Sequence, residues 1–185
     1  IKPNNNTNIY GQYIIDFQQE NLQLEEYFTI SCLEDQTIEI KNSNFNILHY
    51  SKNGGTDWSE VYKNDENQIQ IKVKNGETIK MKGECISASS ITSVGEFCII
   101  GRTELKGNIM SLFYPTEFNN EDRLPDNIIL KKMFVDCSGI TDASKLIIPI
   151  STLTTEMFHA TFSGCTNMTS SPQFKNFVNI PESGC

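Results

Sequence analysis

The chain has 185 residues, enough for one large domain or two small ones with real cores, and its 38% hydrophobic and 21% charged content is that of a folded, slightly polar protein. A net charge of −8, with 15 Lys and Arg that gather into no basic stripe, argues against nucleic acid or an anionic membrane as partner. No apolar run approaches the roughly 18 residues of a membrane-spanning helix, so no membrane insertion is expected in this chain.

The chain opens Ile1-Lys2-Pro3, without a methionine or a signal-peptide core, which reads as a processed chain or a piece of a longer one. Residues 1–8 form a polar arm. Over 9–106, apolar residues alternate in short runs: Phe28 and Ile30, Ile38 and Ile40, Phe45 and Ile47, Ile69, Ile71 and Val73, then Ile79 and Met81. Period-two alternation between turn residues predicts six to eight antiparallel strands in a β-sandwich of immunoglobulin-like size. Asn75-Gly76 is the strongest hairpin signal, since a type I′ turn needs positive φ at both central residues. It predicts pairing of 69–73 with 78–81, with Lys72, Lys74, Lys80 and Lys82 on one solvated face. Trp58 lies outside any Cys-Trp-Cys arrangement, which disfavours an antibody-type domain. Ser51 to Trp58 instead reads S-x-N-x-G-x-x-W, close to the Asp-box turn of sialidase propellers, which pins a single hairpin over a packed Trp.

Past Gly107, Asn108 to Tyr114 is an apolar stretch suited to seal the first layer of a second unit, over 107–185, against the sandwich. That unit repeats itself. Met133 to Thr141 and Thr161 to Thr169 carry one pattern 28 residues apart, aligning Phe134 with Phe162, Cys137 with Cys165, Ile140 with Met168 and Leu146 with Phe174. Such a period marks stacked units that cannot bury an apolar face alone, and about three are normally needed for stability. The array is therefore expected to lean on the sandwich and to continue beyond 185. Each repeat reads as a strand, Lys145 to Ile148 stopped by Pro149, and a short helix, Ser151 to Phe162, with Ser151 as N-cap and Leu153, Met157, Ala160 and Phe162 on one face. Cys137 and Cys165 are expected one above the other as small buried hydrophobes. Cys32, Cys85, Cys98 and Cys185 allow pairings that spacing does not choose among.

These residues resemble the BspA-like, or Treponema-type, leucine-rich repeats of bacterial and protist surface proteins. The shared pattern is Met-Phe-x-x-Cys followed by Ser or Thr, an aliphatic residue three after the Cys, and a short strand ending in Pro. The second copy departs from it with Thr161 for Met and Phe177 for Pro. Similarity to many-repeat surface proteins also runs through Tyr50 to Trp58, Gly76 to Gly83 and Gly107 to Tyr114. The resemblance implies a mainly β chain, an N-terminal antiparallel sandwich followed by the start of a leucine-rich-repeat solenoid of α/β repeats, and attachment to a host, cell or matrix. It carries no catalytic residues to transfer.

Catalytic signals are weak. His49 and His159 stand far apart in sequence, and the near pair His159 and Cys165 has Lys131 and Cys137 in the other copy, so cysteine chemistry is not expected. Glu34-Asp35, Asp65-Glu66 and Glu121-Asp122 lack the spacing of a calcium loop. No phosphate loop, zinc helix or nucleophile elbow occurs. No enzyme, metal or cofactor is expected. The leading expectation is an extracellular or cell-surface adhesion and recognition module whose partner is a protein or glycan. The alternatives are an architectural part of an extracellular or virion assembly, and a carbohydrate-binding accessory domain using Tyr10, Tyr13, Trp58 or Tyr62. Asn5 and Asn167 head sequons and are candidate glycan acceptors.

Overall fold

The computed structural model describes residues 24–85 and 88–175. The polar arm with Asn5, the aromatics Tyr10 and Tyr13, Phe177 and Cys185 lie outside the described residues. The fold is mainly β, with several sheets and no barrel. Its strands are β1 (Phe28–Cys32), β2 (Gln36–Lys41), β3 (Ile47–Ser51), β4 (Ser59–Val61), β5 (Ile69–Val73), β6 (Thr78–Glu84), β7 (Thr92–Ser93), β8 (Glu96–Cys98), β9 (Thr103–Asn108), β10 (Ile128–Ile129), β11 (Ile140–Ile148) and β12 (Gln173–Phe174).

A seven-stranded sheet runs β12-β11-β9-β1-β6-β3-β4, and a three-stranded sheet β5-β2-β8 shares its core. Phe28 of β1 meets Phe97 of β8 edge-on at 5.9 Å, and Ile30, Ile38, Ile40, Ile79 and Met81 are fully buried around them. Alternation therefore located most inward residues. It slipped at β3, where Leu48 is buried and Ile47 is 38% exposed, because Phe45 packs before the strand begins and the inward phase restarts inside it.

The Asn75-Gly76 turn does not make a hairpin. β5 pairs with β2 while β6 pairs with β1 and β3, so the turn carries the chain from one sheet to the other. Only Gly76 has positive φ, at 82°, which is a type II arrangement closed by the Glu77 N–H on the Lys74 carbonyl. Long-range bonds hold the crossing: Gly76 N–H donates to the Cys32 carbonyl at 2.8 Å and Asn75 N–H to Asp35 Oδ1 at 2.8 Å. The expected lysine face is divided accordingly. Lys72 belongs to the three-stranded sheet and Lys74 follows it, whereas Lys80 and Lys82 lie on β6 of the larger sheet.

The expected boundary between 106 and 107 falls inside β9. This strand pairs antiparallel with β1 on one side and parallel with β11 on the other. β11 is longer than expected, and two bulges between Ile140 and Lys145 take up its extra residues. The apolar stretch after β9 forms a buried 3₁₀ turn, Ile109–Leu112, capped by Asn108, whose side chain accepts from Met110 N–H. Ser111 fastens that turn to the sheet, accepting from Phe28 N–H at 2.8 Å and donating to the Met81 carbonyl at 2.9 Å.

No helix forms over Ser151 to Phe162. The chain there runs as linked tight turns: the N–H groups of Met157, His159, Thr161, Ser163 and Cys165 each bond the carbonyl three residues earlier. Glu156, Ala160 and Gly164 have φ of 59°, 56° and 78°, and a right-handed helix cannot contain them. Residues 130–137 repeat the arrangement, with Lys132 and Asp136 left-handed. The alternate N–H groups reach sideways: Leu130, Lys132, Phe134 and Asp136 donate to the carbonyls of Met157, His159, Thr161 and Ser163 at 2.7–3.0 Å. A helix would have turned every one of those donors inward.

Candidate functional site

The duplicated residues stack. Phe134 and Phe162 lie with ring centroids 5.2 Å apart at 20°, and Cys137 and Cys165 sit in equivalent places, each thiol donating to a carbonyl of the preceding layer, Phe97 at 3.0 Å and Phe134 at 3.1 Å. Those acceptors identify a further layer that the sequence pattern did not show. Phe97 lies 5.2 Å from Phe134, and the Phe97 N–H bonds the Met133 carbonyl at 2.7 Å. Parallel pairs Thr92 with Ile128 and Ser93 with Ile129, the β7–β10 ladder, begin that layer.

Burial follows the stack. Phe134, Cys137, Ile140 and Leu146 are fully buried and Cys165 nearly so, Phe162 and Met168 are half-buried, and Phe174 is 42% exposed. The alignment of Leu146 with Phe174 is also corrected by the ladder, in which Phe174 pairs with Ile148. The strand of the last layer is shifted by two residues because its connection from Met168 is shorter than the bulged course of β11.

Cys32, Cys98, Cys137 and Cys165 are free thiols. Burial pushes the Cys137 thiol up to about 12 and those of Cys32 and Cys85 to about 11, with Cys165 also raised by burial. Thiolates are suppressed at all four, the opposite of what a nucleophile needs. His159 is exposed and Cys165 buried, with its thiol turned to the Phe134 carbonyl. Of the acidic pairs, Glu34-Asp35 is tied up structurally: Arg102 Nε donates to Glu34 at 2.7 Å, and Lys74 Nζ to Asp35 at 3.0 Å. Among the described residues no group of three or more His, Cys, Asp or Glu is placed to hold a metal ion.

The Ser51–Trp58 turn forms as its spacing implies. Asn53 Oδ1 accepts from Ser51 Oγ at 2.7 Å and from Asp57 N–H at 3.0 Å, and β3 and β4 pair across it. Trp58 is half-buried, edge-on to Tyr27 at 4.9 Å, with the Lys82 ammonium 4.4 Å from its ring. Its face is therefore occupied rather than open. Tyr62, 73% exposed, presents an open ring at that end.

Two surface depressions are lined by described residues. An open one of about 430 Å³ lies beside Lys52, Lys72 and Lys74, but Lys52 Nζ already holds Glu77 and the Lys72 carbonyl, both at 2.8 Å. A more enclosed cleft of about 310 Å³ lies where the 123–129 segment meets the turns at 152–157. Ile91, Pro125 and Met157 supply its apolar wall, and Thr152, Thr154 and Arg123 its polar groups. Asn127 positions it: left-handed at φ 63°, it accepts from Thr92 N–H at 2.8 Å through its carbonyl and donates from Nδ2 to the Ala88 carbonyl at 2.7 Å. Ile91 stands 59% exposed at this cleft. None of this was legible in sequence, where the three segments are distant and only Pro125-Asp126-Asn127 announces a turn. Asn167 is exposed, but its Nδ2, the atom a glycan would take, donates to the Ser138 carbonyl at 2.8 Å.

No protein-family model, curated protein or solved structure matches the chain. The likeness to BspA-like repeats thus rests on the residues themselves.

Proposed function

We propose that the chain is a non-enzymatic adhesion or recognition module of an extracellular or cell-surface protein, in which a β-sandwich caps the start of a leucine-rich-repeat-like solenoid. The observation that carries this reading is the coincidence of the sequence repeat with a physical one: the two Phe-x-x-Cys segments stack ring on ring and strand on strand against the sheet of the N-terminal half. Layers of that kind make a stiff surface on which exposed loops can be presented, and the cleft beside Ile91 and Arg123 is a concave place on it sized to hold a partner's side chain. The raised thiol pKa values support a structural use of the cysteines. The occupied face of Trp58 weighs against a sugar-binding platform, which leaves a protein partner favoured over a glycan.

The test is binding of the purified chain to immobilised extracellular matrix proteins, intact host cells and a glycan array, beside an Ile91→Asp/Arg123→Glu variant. Saturable binding to protein or cells, weakened at least about tenfold by the double change, is expected, since apolar anchors and arginine carry much of an interface. Binding that the variant leaves intact would remove the cleft from the reading. A cytosolic location of the native protein on fractionation would remove the adhesion role itself.

A further inference from the structure

The ladder between the two Phe-x-x-Cys layers stops at a defined rung. The N–H groups of Asp136, Phe134, Lys132 and Leu130 step by two residues onto the carbonyls of Ser163, Thr161, His159 and Met157. The next rung would join the Ile128 N–H to the Thr155 carbonyl. Instead the Ile128 N–H turns back to the Pro125 carbonyl at 3.0 Å, and the 123–129 and 152–157 segments part. Ile129 is committed on the opposite side, where its carbonyl accepts from Val94 N–H at 3.2 Å. The cleft of about 310 Å³ is the gap at that missing rung, so the bonding that stacks the layers also fixes its walls.

Its lining carries an unanswered charge. The chain has two arginines. Arg102 is held by Glu34 at 2.7 Å, whereas Arg123 is exposed at the cleft and has no ion-pair partner among the described residues. The Arg123 backbone is anchored, since Tyr114 Oη donates to its carbonyl at 2.9 Å. Across the gap, the hydroxyls of Thr152, Thr154 and Thr155 have no hydrogen-bond partner among the described residues. A carboxylate supplies both the charge and the acceptor oxygens that this set of donors lacks. Beside them Ile91, Pro125 and Met157 form an apolar wall that matches an aliphatic group. Asp126 lines the same cleft and Glu121-Asp122 precede Arg123, so a second carboxylate on the ligand is repelled. A fatty acid would meet the apolar wall but cover the threonine hydroxyls without bonding them, whereas peptide groups bond them.

We propose that this cleft takes the free C-terminus of a peptide ending in an aliphatic residue, with its carboxylate on Arg123 and its side chain against Ile91, Pro125 and Met157. The inference rests on the cleft being the partner site of the proposed adhesion role, and it adds which end of a partner and which residue type are recognised. The volume lies at the low end of ligand sites, about 300–1,000 Å³, which suits a terminal residue or two and not a longer segment.

The test is fluorescence polarisation of the full chain with N-terminally labelled Gly-Ser-Gly-Val-Leu, carrying either a free carboxylate or a C-terminal amide. The acid is expected to bind at least about tenfold tighter than the amide, the scale of one hydrogen-bonded charge. Arg123→Gln should bring the acid down to the affinity of the amide, and Ile91→Asp should weaken both peptides. Lys80→Gln, which removes a charge on β6, should alter neither. The proposal is overturned if acid and amide bind alike, if neither binds, or if Arg123→Gln keeps the preference. Competition by octanoate, or by Gly-Ser-Gly-Val-Asp, as strong as that of the unlabelled acid would overturn it too. Failure of the peptides beside cell or matrix binding that Ile91→Asp/Arg123→Glu still weakens removes this inference and leaves the adhesion reading. Acid-selective peptide binding without binding to cells or matrix removes the adhesion reading and leaves the site.

Discussion

Phe134 is the side chain on which the stacked layers most depend, and its truncation tests the packing directly. It is fully buried, with Phe97 and Phe162 each 5.2 Å away and Phe28 at 6.1 Å. Burying such a side chain contributes about 1.5–3 kcal/mol relative to leaving it in water. The cavity that Phe134→Ala leaves among three rings raises the loss to about 3–5 kcal/mol, and the aromatic pairs, about 0.5–1.5 kcal/mol each, place it in the upper half of that range. Phe174→Ala, at a 42% exposed ring, should cost under about 1 kcal/mol by the same area reasoning. Urea unfolding followed by Trp58 fluorescence reads both as shifts in midpoint at constant slope. The argument fails if Phe134→Ala costs less than about 2 kcal/mol at unchanged slope, or if the two variants are equal.

Left-handed backbone at Ala160 makes Ala160→Gly stabilising by about 0.5–1 kcal/mol, the steric cost of αL exceeding the entropy cost of glycine. Gly164→Ala should instead lose at least about 2 kcal/mol, because a Cβ there meets the Asp136 side chain as well as positive φ; both changes are read by thermal unfolding. In a Cys185→Ser background at pH 8, a thiol reagent should label half-exposed Cys98 first and leave Cys32, Cys85, Cys137 and Cys165 unreacted until unfolding; fast labelling of Cys137 would contradict its burial. The Asp142 carboxyl is held below the usual range, first by the Ser144 N–H at 2.7 Å, so its contribution is present above the unfolded carboxylate pKa and lost as pH falls through its depressed one. Asp142→Ala should therefore lower the melting temperature at pH 7 but leave it nearly unchanged at about pH 2, below the carboxylate range.

Particular residues show what sequence could reveal. Phe134, Cys137, Phe162 and Cys165 were legible as a stack because both the identities and the spacing recur. The preceding layer was hidden because Phe97 lies 37 positions before Phe134 and the long excursion through the Ile109–Leu112 turn interrupts the period. Asn75-Gly76 announced a turn correctly, yet turn chemistry says only that the chain reverses. Whether β6 returns beside β5 or crosses to the other sheet is decided by which partner covers Ile69, Ile71 and Val73. The helix expected at Ser151 to Phe162 failed because apolar spacing does not distinguish a helix from turns whose alternate amides bond a neighbouring layer. The cleft depends on three segments brought together by Asn127, which local pattern cannot express.

β9 carries a mechanical consequence. One strand is bonded laterally to β1 in the N-terminal half and to β11 in the C-terminal half, so the sheet crosses from one to the other without a flexible joint. A tug on the outer layers is therefore resisted by neighbouring strands and by the rings packed beneath them, and not taken up by a linker that stretches first. A pull along β11 loads its bonds to β9 in parallel, as shear, whereas a pull across the sheet opens them one after another. The chain should be stiff and strong in the first direction and yield at lower force in the second.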